Sequence, residues 1–320
     1  MKRRLIGAVT AIALCAMQTN VSRAATLYGN DFDVDTTASW TVNDSGLSDI
    51  LADFYYDYSA IGVPAAPGGS TTRGLKMTAN NSGGVFSGFS VSPTGESFSG
   101  NYRVEFDMWQ NYAGPVGPGG NGTTQLSTFG IGTSGTVAFW PGAVTKESVA
   151  FGATLDGGSG SDYRAYSSAA PLSYAAGNAV YAAPDGGINE SNAYYAPFTP
   201  QSAPAAQVAL FPGQTGSTNI GETAFAWRRV VIDVNGGFAN WSIDGLAMAS
   251  VDLSTVTLGG GNIFFGHSDT NAGASTDPND SLLNVTLIDN VLVTIPEPSS
   301  LALVALAGLG LAASRRRRNS

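Results

Sequence analysis

Strict alternation of apolar and polar side chains over residues 102–109 constrains this chain more than any other feature. Tyr102, Val104, Phe106 and Met108 hold the even positions, Arg103, Glu105 and Asp107 the odd ones, and Trp109 closes the run. Successive side chains of an extended strand point to opposite faces, so this pattern predicts a strand buried on one side. Similar runs recur at residues 28–32, 39–42, 49–58, 74–79, 85–91, 126–131, 136–140 and 149–155. A second series covers residues 225–234, anchored by Trp227, then 239–243, 246–251, 262–266 and 285–293. Asn235-Gly236-Gly237 and Asp244-Gly245 fall between such runs and have the composition of tight hairpin turns. Helical periodicity is almost absent. Many short strands joined by turns predict an all-β antiparallel β-sandwich.

Residues 61–70 and 114–122, rich in glycine and proline, are loops. Residues 169–204 show no sustained period and read as a long insertion lying over the sandwich. The tyrosines of this insertion (Tyr174, Tyr181, Tyr194, Tyr195) either pack it down or form a sugar-stacking surface. The body, residues 25–294, carries seven basic against twenty-three acidic residues. Such a surface argues against nucleic acid and anionic lipid as partners, because phosphates need Lys and Arg.

Both ends read as addresses. Lys2, Arg3 and Arg4 precede an apolar stretch at residues 5–17, and Ser22 and Ala24 are small at the two positions that a signal peptidase reads. Residues 1–24 are therefore expected to be a secretory signal peptide cleaved after Ala24. The sole cysteine, Cys15, lies within it, so the mature chain has no thiol chemistry. At the other end, Pro296, Glu297 and Pro298 precede residues 301–313, which are only Leu, Ala, Val and Gly. Ser314 and then Arg315, Arg316, Arg317 and Arg318 follow. A helix apolar on every face belongs in lipid or a core. From 299 to 314 it reaches about 24 Å, short of the hydrocarbon layer of about 30 Å. The arginines act as stop-transfer charges held on the cytoplasmic side.

The order Pro-Glu-Pro, apolar helix, arginine cluster over residues 295–320 resembles the PEP-CTERM sorting signal of bacterial exported proteins. That resemblance implies a transient anchor in the inner membrane, processing near Pro296, Glu297 and Pro298 by a membrane-embedded exosortase, and delivery to the cell surface or extracellular matrix. In the body, Trp241-Ser242-Ile243-Asp244-Gly245, Ile263-Phe264-Phe265-Gly266 and Ile288-Asp289-Asn290-Val291 are similar to the last strands of concanavalin-A-like, laminin-G-type jelly rolls. Tyr56-Asp57-Tyr58-Ser59 and Phe225-Ala226-Trp227-Arg228 resemble recurring stretches of PEP-CTERM proteins. These likenesses imply a jelly-roll fold and no particular activity.

Laminarinase-type glycosidases share that fold and use a strand reading Glu-x-Asp-x-Glu, whose two catalytic carboxyl groups stand about 5–5.5 Å apart. Glu105-Phe106-Asp107 matches its first half, but Trp109 and Gln110 occupy the places of the second glutamate, so the acid/base is missing. Glu105 and Asp107 then read as the wet face of an ordinary strand. The single histidine, His267, follows a predicted strand and reads as a solvated loop residue. No Gly-x-Ser-x-Gly elbow accompanies it. Asp269, Asn271, Asp277, Asn279 and Asp280 cluster in one segment, with Asp289 and Asn290 on the strand after it. Calcium takes its oxygens from such groups, which makes them candidate ligands of a structural calcium; the same residues also close turns through their own backbone. No other cofactor is called for. The expectation is an exported, non-enzymatic module that binds or sits within extracellular polysaccharide. The alternatives are a carbohydrate-active enzyme with an unrecognised site and a purely structural envelope protein.

Overall fold

The computed structural model describes residues 24–44, 49–79, 88–114, 125–142, 146–155, 159–269 and 279–296. Residues 1–23 of the expected signal peptide and the segment beyond Pro296 lie outside them. The described strands are β1 (Ala25–Asn30), β2 (Trp40–Asn43), β3 (Ile50–Asp57), β4 (Arg73–Ala79), β5 (Gly88–Pro93), β6 (Tyr102–Asn111) and β7 (Gln125–Thr133), followed by β8 (Val149–Thr154), β9 (Tyr163–Tyr166), β10 (Trp227–Asn235), β11 (Phe238–Ile243), β12 (Leu246–Asp252), β13 (Asn262–Asp269) and β14 (Val285–Ile295). Two short helices accompany them, α1 (Ala205–Leu210) and α2 (Asp280–Leu283). Residues Ala25–Pro296 cluster as one unit.

The strands form two antiparallel sheets, the arrangement of a jelly-roll β-sandwich. The first runs β12-β11-β10-β6-β14-β4-β3, with β1 also paired to β14; the second runs β2-β5-β13-β7-β8-β9. The 102–109 alternation thus becomes β6, near the centre of the first sheet. Tyr102, Val104, Phe106 and Met108 are buried against the second sheet, while Arg103 and Glu105 on the other face are half-buried. Between β10 and β11 the pair Asn235↔Phe238 brackets Gly236 (φ +60°) and Gly237 (φ +85°). Between β11 and β12 the pair Ile243↔Leu246 brackets Asp244 (φ +50°) and Gly245 (φ +81°). Two left-handed central residues are what a two-residue hairpin loop needs to match strand twist.

Rings dominate the space between the sheets. Trp241 stacks on Phe151 at 5.2 Å and meets the edge of Phe129 at 5.6 Å; Trp40, at the other end, stacks on Phe54 at 5.3 Å and on Phe32 at 5.7 Å. A second apolar cluster lies on the outer face of the first sheet, where Trp109, Leu287 and Val285 are buried with Tyr58, Ile61, Tyr112 and Phe225. That half of the outer face is roofed over. The half carrying Glu105 and Asp107 is not.

One expectation is corrected. Residues 136–140 form an irregular segment, not a strand. Phe139 packs at 4.7 Å on Phe264 and at 5.8 Å on Tyr166, so its apolar character covers the outer face of the second sheet instead of extending it. The four-residue β9 was too short to show a period. The expected insertion is part of a longer stretch between β9 and β10. Within it, Ala182 donates to Met248 O and Ser250 to Val180 O along the edge strand β12, while Tyr174 donates to Ala165 O and Tyr163 to Ile188 O along the edge strand β9. It covers one edge of each sheet, a standard protection against edge-to-edge association. Its tyrosines pack: Tyr181 and Tyr195 are buried, and the Tyr194 hydroxyl donates to Ala247 O. Asp162 pins the same stretch, accepting from the Thr154 hydroxyl (2.7 Å), the Glu190 amide (2.9 Å) and the Asn189 side chain (3.1 Å), and burial pushes its carboxyl up to about 9.

Trp241, on the first sheet, packs on the rings of Phe129, Phe151 and Tyr163 from the second and is almost fully buried. Trp241→Ala is expected to destabilise the mature domain by about 3–5 kcal/mol, read as a shift of the urea midpoint with little change in slope.

Candidate functional site

The open half of the outer face is where three strands bring polar side chains together. Cross-strand register sets Asp107 on β6 opposite Arg229 on β10 and opposite Asp289 on β14. The Arg229 Nη1 lies 3.3 Å from Asp107 Oδ1, and its Nη2 3.6 Å from Glu105 Oε2. The other oxygen of Asp107 accepts from the Asn290 side chain at 2.8 Å. Asn290 has φ +50° and sits where the β14 register shifts between Asp289 and Leu292. Such a bulge re-aims side chains. Here it carries the Asn290 amide back over the sheet to Asp107.

Asp289 faces a different environment. It is almost fully buried, its Oδ1 accepts from the Asn290 N–H at 2.7 Å, and its Oδ2 lies 3.1 Å from the Tyr58 hydroxyl. Burial, with lesser contributions from nearby Asp107 and Asp33, raises its carboxyl to about 7. The Tyr58 hydroxyl donates to Asp289 Oδ2 and itself accepts from the Ala66 N–H, so this bond and the one from the Asn290 N–H oppose part of the upward push of burial.

Two loops wall a cleft of about 890 Å³ above this floor. One follows β1 and presents Asp31, Val34, Thr36 and Ser39; the other precedes β4 and presents Pro67. Asp33 joins the two loops by accepting from the hydroxyls of Ser70 and Thr71. The Trp227 Nε1 donates to Pro64 O at 2.7 Å, tying the second loop to the floor. Trp227 lines the cleft with its ring braced on Trp109 (5.8 Å) and Tyr58 (5.2 Å), alongside Asp107, Arg229, Asp244 and Asn290. Asp244 is anchored from below, 3.0 Å from Arg228 Nη1, and accepts from the Arg229 N–H at 2.8 Å.

The sequence-derived candidates divide. Glu105 and Asp107 do share the outer face, but Asp107 is buried between Arg229 and Asn290, not wet. His267 is corrected outright: it belongs to β13, is fully buried and touches no solvent. Its Nδ1 is 2.8 Å from Thr286 Oγ1 and its Nε2 2.6 Å from Gln125 Oε1. Thr286 in turn meets Ser127 Oγ at 2.6 Å, Ser127 accepts from Gln110 Nε2 at 3.0 Å, and Gln110 Oε1 accepts from the Thr223 hydroxyl. One proton order satisfies the whole chain: every hydroxyl donates toward His267, whose Nε2–H donates onward to Gln125. A neutral ring is therefore built in, and burial lowers its pKa to about 3. Of the calcium candidates, Asp269 is buried at the end of β13 and Asn279 precedes α2. Asn271, Asp277 and the side chain of Asp280 lie outside the described residues. Among the described residues no three carboxylate or imidazole groups converge to hold a metal. Glu297, Pro298 and Arg315, Arg316, Arg317 and Arg318 also lie outside, and among the described residues no helix is long and apolar enough to cross a membrane.

Trp227, Arg229, Asp31 and Asn290 escaped the sequence reading as site residues. Trp227 was legible only as a strand anchor, and Asn290 only as an Asx residue near a candidate metal segment.

Residues 294–318 match the PEP-CTERM protein-sorting motif, so the chain carries this signal. The match begins inside β14, at Thr294. No curated protein sequence matches the chain. Among solved structures it is similar to a protein of unknown function with a galectin-like fold from Bacillus subtilis, at 11% identity over 85% of this chain and 96% of that one, with a TM-score of 0.40. It is also similar to the potassium-bound Emp46p carbohydrate recognition domain (10% identity, 83% and 95% covered, TM-score 0.40). A third is a glycoside hydrolase family 16 endo-glucanase from Bacteroides ovatus (14% identity, 83% and 99% covered, TM-score 0.40). These likenesses concern the fold alone.

His267 gives the pH dependence a sign. The folded ring resists protonation down to about pH 3, whereas an unfolded histidine takes up its proton near pH 6.5. Its contribution is present above pH 6.5 and is lost as pH falls from there toward 3. His267→Gln keeps a donor and an acceptor but cannot titrate. Above pH 6.5 the stability difference between wild type and variant should be constant; below it, the difference should move in the variant's favour by about 1.4 kcal/mol per pH unit, measured by urea unfolding across that range.

Proposed function

We propose that the mature domain is a non-catalytic module of the cell surface or extracellular matrix that holds a polysaccharide chain in the cleft over the first sheet. The observation that carries this is the pairing in one open cleft of the braced Trp227 ring with the planar polar groups of Asp107, Asn290, Arg229 and Asp244. A sugar ring offers an apolar face to an aromatic plane, and its hydroxyls suit carboxylate, amide and guanidinium partners. The rigid floor supports binding without much ordering cost.

Absence of catalysis belongs to the same proposal. Trp109 fills a position where the glycosidase strand needs its second carboxyl. Arg229 engages both Glu105 and Asp107. Asp289, whose carboxyl burial raises to about 7, is shut behind Tyr58. A calcium held by Asp269, Asn271, Asp277, Asn279 and Asp280 would be structural. The purified domain should be retained on immobilised polysaccharide, and Trp227→Ala should weaken retention roughly tenfold, about 1.4 kcal/mol. Running the assay with calcium and with EDTA reports on the metal. No retention from a polysaccharide panel under either condition would leave a structural envelope protein. Release of reducing ends, abolished by Glu105→Gln, would make it an enzyme.

For sorting, we propose that residues 301–313 anchor the chain until the segment at Pro296, Glu297 and Pro298 is processed by exosortase and the domain is released. Deletion of residues 296–320 should abolish that processing and leave the exported domain folded, because β14 ends at Ile295. A wild-type product still ending near Pro298 after loss of exosortase would overturn the assignment.

A further inference from the structure

The walls of the cleft come from a segment with an extreme charge bias. Between Ala24 and Thr72 the sequence has seven aspartates (Asp31, Asp33, Asp35, Asp44, Asp49, Asp53, Asp57) and no lysine or arginine. Both loops that rise over the floor belong to this segment. Asp31 lines the cleft and is exposed, its Oδ1 accepting only from the backbone N–H of Asp33. Asp33, just behind it, is bound by the hydroxyls of Ser70 and Thr71, which carry no charge to offset it.

The floor does not reverse this balance. Arg229 is the one cation among the described lining residues, and it is already ion-paired with Asp107 and Glu105. Arg228 lies below, already paired with Asp244. A uronate or sulfated sugar entering the cleft would therefore find carboxylates on the wall and no uncommitted cation. Low-dielectric walls carrying charge of one sign strengthen the field inside a cleft.

Resting on the glycan reading above, we infer that this cleft selects amine-bearing polysaccharide, a polymer of de-N-acetylated hexosamine, and rejects acidic polysaccharide. The Trp227 ring receives the apolar face of one sugar, and Asp31 with the wall behind it receives the ammonium group of a neighbouring unit. A basic peptide shares the charge but not the rigid ring face, and it serves as the control.

The test is calorimetric titration of the mature domain, at low salt and mildly acidic pH, with four ligands: a glucosamine oligosaccharide, its fully N-acetylated counterpart of equal length, an oligogalacturonate and an oligolysine. The expected result is at least tenfold tighter binding of the amine form than of the N-acetylated form, an advantage that shrinks with added salt, and no binding of the galacturonate. Asp31→Asn keeps the oxygen that accepts from Asp33 and so preserves the loop; it should cut the preference for the amine form severalfold. Equal affinities for the two hexosamine forms, or binding of the galacturonate, would overturn the selectivity and leave the glycan reading standing. Oligolysine binding as tightly as the amine sugar and surviving Trp227→Ala would reassign the cleft to peptide. Failure of all four to bind would remove the glycan reading together with this inference.

Discussion

β14 keeps β6 along one flank but changes partner on the other, and the rest of the first sheet is arranged around that change. Thr286–Ile288 pair with β4, whereas Val291–Ile295 pair with β1. Two strands can share one flank only if they part where they meet, and the ladder has to be interrupted there. The bulge at Asp289–Leu292, with Asn290 in the left-handed region, is that interruption. It leaves the loop after β1 and the loop before β4 standing over the gap, turns one amide toward Asp107, and buries one carboxyl beneath Tyr58. The cleft is a consequence of how a sheet accommodates three neighbours for one strand.

The interior solves a second problem at the opposite end of the same strand. Thr286 of β14 and Gln110 of β6 face Gln125 and Ser127 of β7 and His267 of β13, so polar groups from both sheets meet where neighbouring layers are filled by rings. Unpaired, each would cost about 1–3 kcal/mol. Joined in one proton order they fix the relative position of the sheets, since a shift of either breaks several bonds together. A buried network of this kind specifies alignment more sharply than apolar contact, which tolerates sliding.

The sequence made the sandwich legible because period two survives burial on a single face: β6, β10 and β11 emerge directly from alternation, and the hairpins from Asn-Gly-Gly and Asp-Gly. It hid whatever depends on distant partners. Gly266-His267-Ser268-Asp269 has the composition of a loop, yet Gln125 and Thr286 hold it as strand. Phe139 and Trp140 imitate a strand because both are buried, although what they cover is the outside of a sheet. Asp107 could be placed on the outer face, but its burial beside Arg229 and Asn290 depends on residues 122 and 183 positions later in the chain. Carboxyl groups on one face were visible; the arginine and the amide that occupy them were not.

The pairing of β1 with the end of β14 also sets an order of events. Ala25 lies opposite Ile295 and Thr26 opposite Thr294, so the first strand of the body is completed only by the last. Closing a loop that spans nearly the whole domain is entropically slow, and sheets dominated by such distant contacts fold late. A ribosome or a translocon must deliver every residue through Ile295 before this sheet can close. Maturation of the domain is thus timed by arrival of the very stretch in which the sorting motif begins.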